Sequence, residues 1–190
     1  MTNFHRACAG LVASGALALG VLYAPAPYAN SASEVVKFQN GNTGKCLTIA
    51  GGVSTENNVV ALQFICDSDP SRTWMLDRWA DGTYQIKNVQ TRKCLTIAGG
   101  VSTENNVEAL QFNCDSDPSR RWTLHKMADG TYKVKNVQTR KCLTIAGGVS
   151  TENNVHALQF DCDNHPSRTW RLIWPSPAQP SPGQRIDDNQ

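Results

Sequence analysis

Cys46, Cys94 and Cys142 lie 48 residues apart, and the same interval separates Cys66, Cys114 and Cys162, and again Trp74, Trp122 and Trp170. A fixed period of this length is the mark of internal repetition, and it constrains the fold more than any other feature of the chain. When residues 89–124 are laid against 137–172, six of 36 positions differ, all in polar or variable stretches. The copies are products of recent duplication.

Within a copy the pattern is one of short strands: Tyr84-Gln-Ile-Lys-Asn88, Cys94-Leu-Thr-Ile-Ala98, residues 107–114, and Arg121-Trp-Thr-Leu-His125. Turn formers separate them, namely Thr91-Arg92-Lys93, Gly99-Gly100 with Asn105-Asn106, residues 115–119 around Pro118, and Asp129-Gly130. No stretch keeps a helical period, so three four-stranded units give an all-β chain of about twelve strands. Asp81-Gly82 and Asp129-Gly130 join one unit to the next, but no such hairpin follows Trp170, where Pro175, Pro177, Pro180 and Pro182 begin. The missing strand is residues 36–40, at the other end. Pairing it with the strand around Trp170 closes three units into a ring, the arrangement of a β-trefoil, and so removes exposed sheet edges. An open solenoid would instead call for distinctive capping repeats, and these units are nearly uniform.

The 190 residues leave room for one ordinary domain with appendages. The first segment has the form of an export signal: His5 and Arg6, an apolar run from Ala7 to Ala24, then small residues and prolines. A run of about 18 residues interrupted by Gly10, Gly15 and Gly20 is at the lower limit for a membrane anchor, which is the competing reading. Cleavage is expected between Ala29 and Ser33, leaving a secreted protein with no membrane insertion. Cys8 leaves with the leader. Six cysteines in an exported chain favour disulfides. The simplest connectivity is within each repeat: Cys46 with Cys66, Cys94 with Cys114, Cys142 with Cys162. Each closed loop of about 20 residues contributes roughly 3 kcal/mol on the chain-entropy view. Zinc competes for the same residues, but the spacing is long and lacks Cys-x-x-Cys, so neither metal nor cofactor is expected. The 18 Lys and Arg against 16 Asp and Glu are spread along the chain, which does not suggest a nucleic-acid partner.

Lys-Cys-Leu-x-Ile, the Ala-Leu-Gln-Phe-x-Cys strand, a tryptophan eight residues later and the Asp-Gly-Thr-Tyr hairpin together resemble the ricin B-type lectin family. The resemblance spans residues 35–174 and carries all three copies in register. It implies a domain over 34–174, with repeats at about 36–83, 84–131 and 132–174, and up to three shallow sugar sites on a β-trefoil. The family commonly has Asp two residues after the first cysteine, where this chain has Thr48, Thr96 and Thr144. Its Gln-x-Trp becomes Arg72-Thr73-Trp74, Arg120-Arg121-Trp122 and Arg168-Thr169-Trp170. The aromatic platform of the family corresponds to Phe64, Phe112 and Phe160. A sugar needs an aromatic face for its C–H groups and oriented acceptors for its hydroxyls. Asp67, Asp115 and Asp163, opposite Arg72, Arg120 and Arg168, are the candidate substitutes. Such pairs either contact vicinal hydroxyls or satisfy themselves as salt bridges.

Trp74, Trp122 and Trp170 read as core. Phe64, Phe112 and Phe160 are either platform or core, and Asn57-Asn58 and its copies are either turn or ligand contact. His125, His156 and His165 cluster with no repeating carboxylate and read as surface residues. No nucleophile elbow, zinc-protease helix or phosphate loop is present, and nothing marks Glu104 and Asp117 as a glycosidase pair, so no enzyme is expected. The expected function is multivalent, weak binding of glycans or polysaccharide. Its rival is a protein-binding or inhibitory trefoil that has lost sugar binding. A protein epitope would use the positions that differ between copies, such as Val60/Glu108/His156, Ile65/Asn113/Asp161 and Met75/Thr123/Arg171. A threefold sugar surface would use the unvarying ones. Residues 175–190 read as a Pro-rich flexible tail.

Overall fold

The computed structural model describes residues 34–175. The expected leader, with its cleavage site and Cys8, and the tail beyond Pro175 lie outside the described residues. Twelve strands form in chain order: β1 (Glu34–Asn40), β2 (Cys46–Ile49), β3 (Ala61–Phe64), β4 (Trp74–Arg78), β5 (Tyr84–Asn88), β6 (Cys94–Ile97), β7 (Ala109–Phe112), β8 (Arg121–Lys126), β9 (Tyr132–Asn136), β10 (Cys142–Ile145), β11 (Ala157–Phe160) and β12 (Thr169–Ile173). The strand expected over 107–114 is confined to Ala109–Phe112. Beyond it, the Asp115 carboxylate takes the amide of Asp117 at 3.0 Å and turns the chain out of the ladder.

Six strands close a ring, each antiparallel to its neighbours: β1–β4, β4–β5, β5–β8, β8–β9, β9–β12 and β12–β1. The closing register pairs Asn40 with Trp170 and Phe38 with Leu172, so the first strand supplies the partner that the last repeat lacks. The other six strands make three hairpins, in which Cys46 faces Phe64, Cys94 faces Phe112 and Cys142 faces Phe160. Single bridges Val60–Leu110, Glu108–Leu158 and Leu62–His156 join the hairpins to one another around the threefold axis. The fold is a β-trefoil.

The core repeats with the sequence. Phe38, Ile86 and Val134 fill one layer, and Leu47, Leu95 and Leu143 another, all without solvent exposure. Trp74, Trp122 and Trp170 are also fully buried, as core and not platform. Their indole N–H groups donate to the carbonyls of Leu47, Leu95 and Leu143 at 3.0, 2.9 and 3.0 Å, which satisfies the one polar atom that burial would otherwise strand. The three disulfides join Cys46 to Cys66, Cys94 to Cys114 and Cys142 to Cys162, one within each repeat.

Candidate functional site

After each second cysteine the chain makes a short 3₁₀ turn, at Pro70–Arg72, Pro118–Arg120 and Pro166–Arg168. Proline suits the first position of such a turn because its fixed φ fits and its missing N–H is not needed. The preceding residue caps the turn. Asp69 accepts from the Ser71 amide at 2.8 Å and the Ser71 hydroxyl at 2.6 Å, and Asp117 accepts from the Ser119 amide at 2.8 Å. Both carboxyls are held below the ordinary value of 3.8. The hydroxyls of Ser71 and Ser119 contribute most, their amides next, and the guanidinium groups of Arg72 and Arg120 less.

The turn delivers an arginine onto an aromatic ring. The guanidinium carbons of Arg72, Arg120 and Arg168 lie 4.5, 4.4 and 4.3 Å from the ring centres of Phe64, Phe112 and Phe160. Arg72 and Arg168 are only 9% exposed. Arg72 is close to two carboxylates, Asp67 at 3.2 Å and Asp69 at 3.0 Å, and Arg120 likewise to Asp115 at 3.3 Å and Asp117 at 3.4 Å. The guanidinium Nη1 of Arg72 donates to Ser71 Oγ at 2.6 Å. Beneath lies the threonine: Thr48 donates to the Ser71 carbonyl at 3.0 Å, and Thr96 and Thr144 to those of Ser119 and Ser167 at 3.1 Å.

A cleft of about 340 Å³ opens over this group in the second repeat, lined by Thr96, Phe112, Asp117, Ser119, Arg120 and the Gly99–Gly100–Val101 loop. A second, of about 210 Å³, opens over Thr144, Phe160, Arg168, Gly147 and Gly148 in the third. Each cleft borrows an asparagine from the preceding repeat, Asn58 in one case and Asn106 in the other. Both asparagines adopt a positive φ, near 65°, which asparagine tolerates better than most residues. Buried glutamines hold these loops across the repeat boundary. Gln111 Nε2 donates to the carbonyls of Ser54 and Glu56 at 2.8 and 2.7 Å, and its backbone carbonyl accepts from the Asn58 backbone amide at 2.9 Å. Gln159 does the same for Ser102, Glu104 and Asn106, and Gln63 for Ser150, Glu152 and Asn154.

The expected site residues lie close together, and the Asp–Arg pairs take the salt-bridge form, one of the two that the sequence left open. Thr48, Thr96 and Thr144 are 2–3% exposed and spend their protons inward, so they support the serine from below. Phe64, Phe112 and Phe160 are half-buried, and a guanidinium already covers a ring face. Asp115 and Asp163 sit outside the clefts of their repeats, and they and Asp67 are paired with their arginines as salt bridges. The carboxylate that reaches the cleft of the second repeat is the cap, Asp117. Its position is not uniform. His165 takes it in the third repeat, where Nδ1 accepts from the Ser167 amide at 3.2 Å. Arg168 therefore keeps a single carboxylate within 4 Å, Asp163 at 3.2 Å. The Asp-Pro-Ser capping signature was readable in the sequence, as was its loss at His165.

Three stretches of the chain, residues 27–112, 76–157 and 118–187, match the family model described as ricin-type β-trefoil lectin domain-like. Among solved structures, the designed threefold-symmetric protein ThreeFoil is similar at a TM-score of 0.70 and 22% identity, over 73% of this chain and 97% of that one. The exo-β-1,3-galactanase 1,3Gal43A from Clostridium thermocellum is similar at 0.71 and 23%, over 76% of this chain and 31% of the enzyme. The Rhizoctonia solani agglutinin is similar at 0.67 and 13%, over 76% and 96%. At these identities the likeness speaks to fold. No curated protein matches the sequence. With its three copies in register and its closed ring of strands, the chain belongs to the ricin-type β-trefoil lectin-like family.

Proposed function

We propose that the chain is a secreted, non-catalytic sugar-binding module whose repeats each carry one weak cleft. The observation that supports this reading is the grouping of a stacked Phe112–Arg120 pair, the ionised Asp117 and the Ser119 hydroxyl in one open cleft, which Asn58 also lines. Charged donors and acceptors held in fixed geometry suit vicinal sugar hydroxyls, and Ile97, Leu110 and Val101 offer apolar contact for C–H faces. Family membership supports carbohydrate binding in general. The disulfide-stapled domain fits an extracellular setting. A catalytic role for Asp117 is disfavoured because a glycosidase acid needs a raised pKa and this carboxyl is held low.

A broad glycan array, followed by retention on insoluble polysaccharides, tests the reading. Binding that disappears in the Arg72→Ala, Arg120→Ala, Arg168→Ala triple variant with an intact fold supports it. Absence of binding to every glycan and polysaccharide overturns it in favour of a protein-binding trefoil.

A further inference from the structure

We infer that the site of the third repeat differs from those of the first two in charge and accepts acidic sugars, with His165 as the residue that sets this specificity; the inference rests on the carbohydrate reading above. The three sites share their threonine, phenylalanine, serine and arginine and differ at the cap. Asp69 and Asp117 put a second carboxylate within 3.0 and 3.4 Å of their arginines. Both stay ionised, since serine hydroxyls and amides stabilise their charged forms. A sugar carboxylate or sulfate that approaches Arg72 or Arg120 meets a guanidinium already outnumbered by two carboxylates. At Arg168 it meets one with a single carboxylate within 4 Å, Asp163, because His165 caps the turn with a ring nitrogen lone pair and brings no negative charge; the second carboxylate that acts on Arg168, that of Asp161, does so from beyond ion-pair distance.

The position of the ring strengthens the argument. A Cβ built on Gly148 would lie 3.1 Å from His165 Cε1, so the imidazole, though not itself a lining residue, stands beside the Gly147–Gly148 loop that walls the third cleft. The third repeat does carry an extra acid, Asp161, where the others have Ile65 and Asn113. Its carboxylate is tied to Lys141 at 2.5 Å and to Asn105 at 2.9 Å, and it does not line the cleft. Compared with the second repeat, the third has no acidic cap and carries instead an acid at position 161, held by Lys141 and Asn105. Arg168 remains stacked on Phe160 and bonded to Ser167 Oγ at 2.9 Å, so the guanidinium that would face an anionic sugar is held in place.

The ligand class that fits is a hexuronate, or another saccharide with one anionic substituent on the ring. The effect of one carboxylate at a partly exposed site is modest, about three- to tenfold in affinity. The experiment is an amide NMR titration of the mature protein at neutral pH with glucose, galactose and mannose and with the corresponding uronates. The amides of Ser71, Ser119 and Ser167 report the sites of the three repeats. The variants are His165→Asp and Asp117→His; each copies a residue that another repeat already carries at that place, so the fold is kept. The expected result is a uronate preference at Ser167 alone, lost in H165D and created at Ser119 in D117H. An equal response of all three clefts to uronates, or an unchanged preference in either variant, overturns the assignment of His165 and leaves the sugar reading standing. Silence at all three amides with every sugar overturns both.

Discussion

The side-chain amide of Asn40 in the first strand donates to the carbonyl of Ser167, 127 residues further along the chain, at 2.8 Å. Asn88 and Asn136 make the same bond to Ser71 and Ser119 within contiguous sequence. The turn that carries Arg168 into the third cleft is thus held by the strand that closes the ring, and site geometry and ring closure share an atom. Asn40 also accepts from the amides of Asn42 and Thr43 at 3.1 and 3.2 Å.

Asn40→Ala is accordingly expected to cost about 1–3 kcal/mol, since the buried Thr43 amide loses its partner, the Asn42 amide loses its own, and the Ser167 carbonyl is left with Thr144 alone. Thermal and chemical denaturation measure it. A loss under about 0.5 kcal/mol, the size of an ordinary surface substitution, would show that closure does not depend on this side chain.

Gly100→Ala probes the loop over the second cleft. Gly100 has a φ of 73°, and an added Cβ would lie 3.1 Å from Ser119 Oγ. The substitution should cost about 1–2 kcal/mol through backbone strain and displace the serine. Retention on polysaccharide should fall with it, whereas Gly99→Ala, with open space around its Cβ, should bring the backbone penalty without moving Ser119. Equal retention in the two variants would contradict the contact.

How much of this was legible beforehand depends on the range of the interactions. The period of the cysteines and tryptophans and the lone strand at residues 36–40 sufficed for the ring, because closure follows from a count of hairpins. The clefts were harder. Nothing local indicates that Asn58 serves the cleft of the next repeat, since that placement depends on Gln111, 53 positions further on. Nor does the pattern show whether Asp115 or Asp117 reaches the cleft; the 3₁₀ turn decides it by making Asp117 the cap. His165 read as a surface residue until the turn gave it a role.

Acid should weaken the sites that carry aspartate caps. The folded-state pKa values of Asp69 and Asp117 lie below the ordinary 3.8, so their stabilisation is present above that value and is lost as pH falls through the lower folded values. Asp117→Asn keeps an acceptor for the Ser119 amide but removes the charge, and it should flatten the acid limb of the stability curve. Urea denaturation across the acid range measures the slope, and an unchanged slope in the variant would refute the contribution of this carboxylate.

Affinity at a single cleft should be low and avidity should supply the rest. An open site whose aromatic face is already covered by a guanidinium offers few new contacts, so a per-site dissociation constant near the millimolar range, about 4 kcal/mol, is expected. A polymer that spans two or three clefts on one rigid body gains through effective concentration by about 10² or more. Phe112→Ala removes the ring that seats Arg120 and should lower retention on an insoluble polysaccharide only several-fold, since two clefts remain. Phe64, Phe112 and Phe160 replaced together should abolish retention while the three disulfides keep the fold. Isothermal calorimetry with oligosaccharides, alongside pull-down with the polymer, separates the two contributions. Full retention in a folded triple variant would remove these rings from the site, and tight binding of a monosaccharide would show that one cleft suffices without avidity.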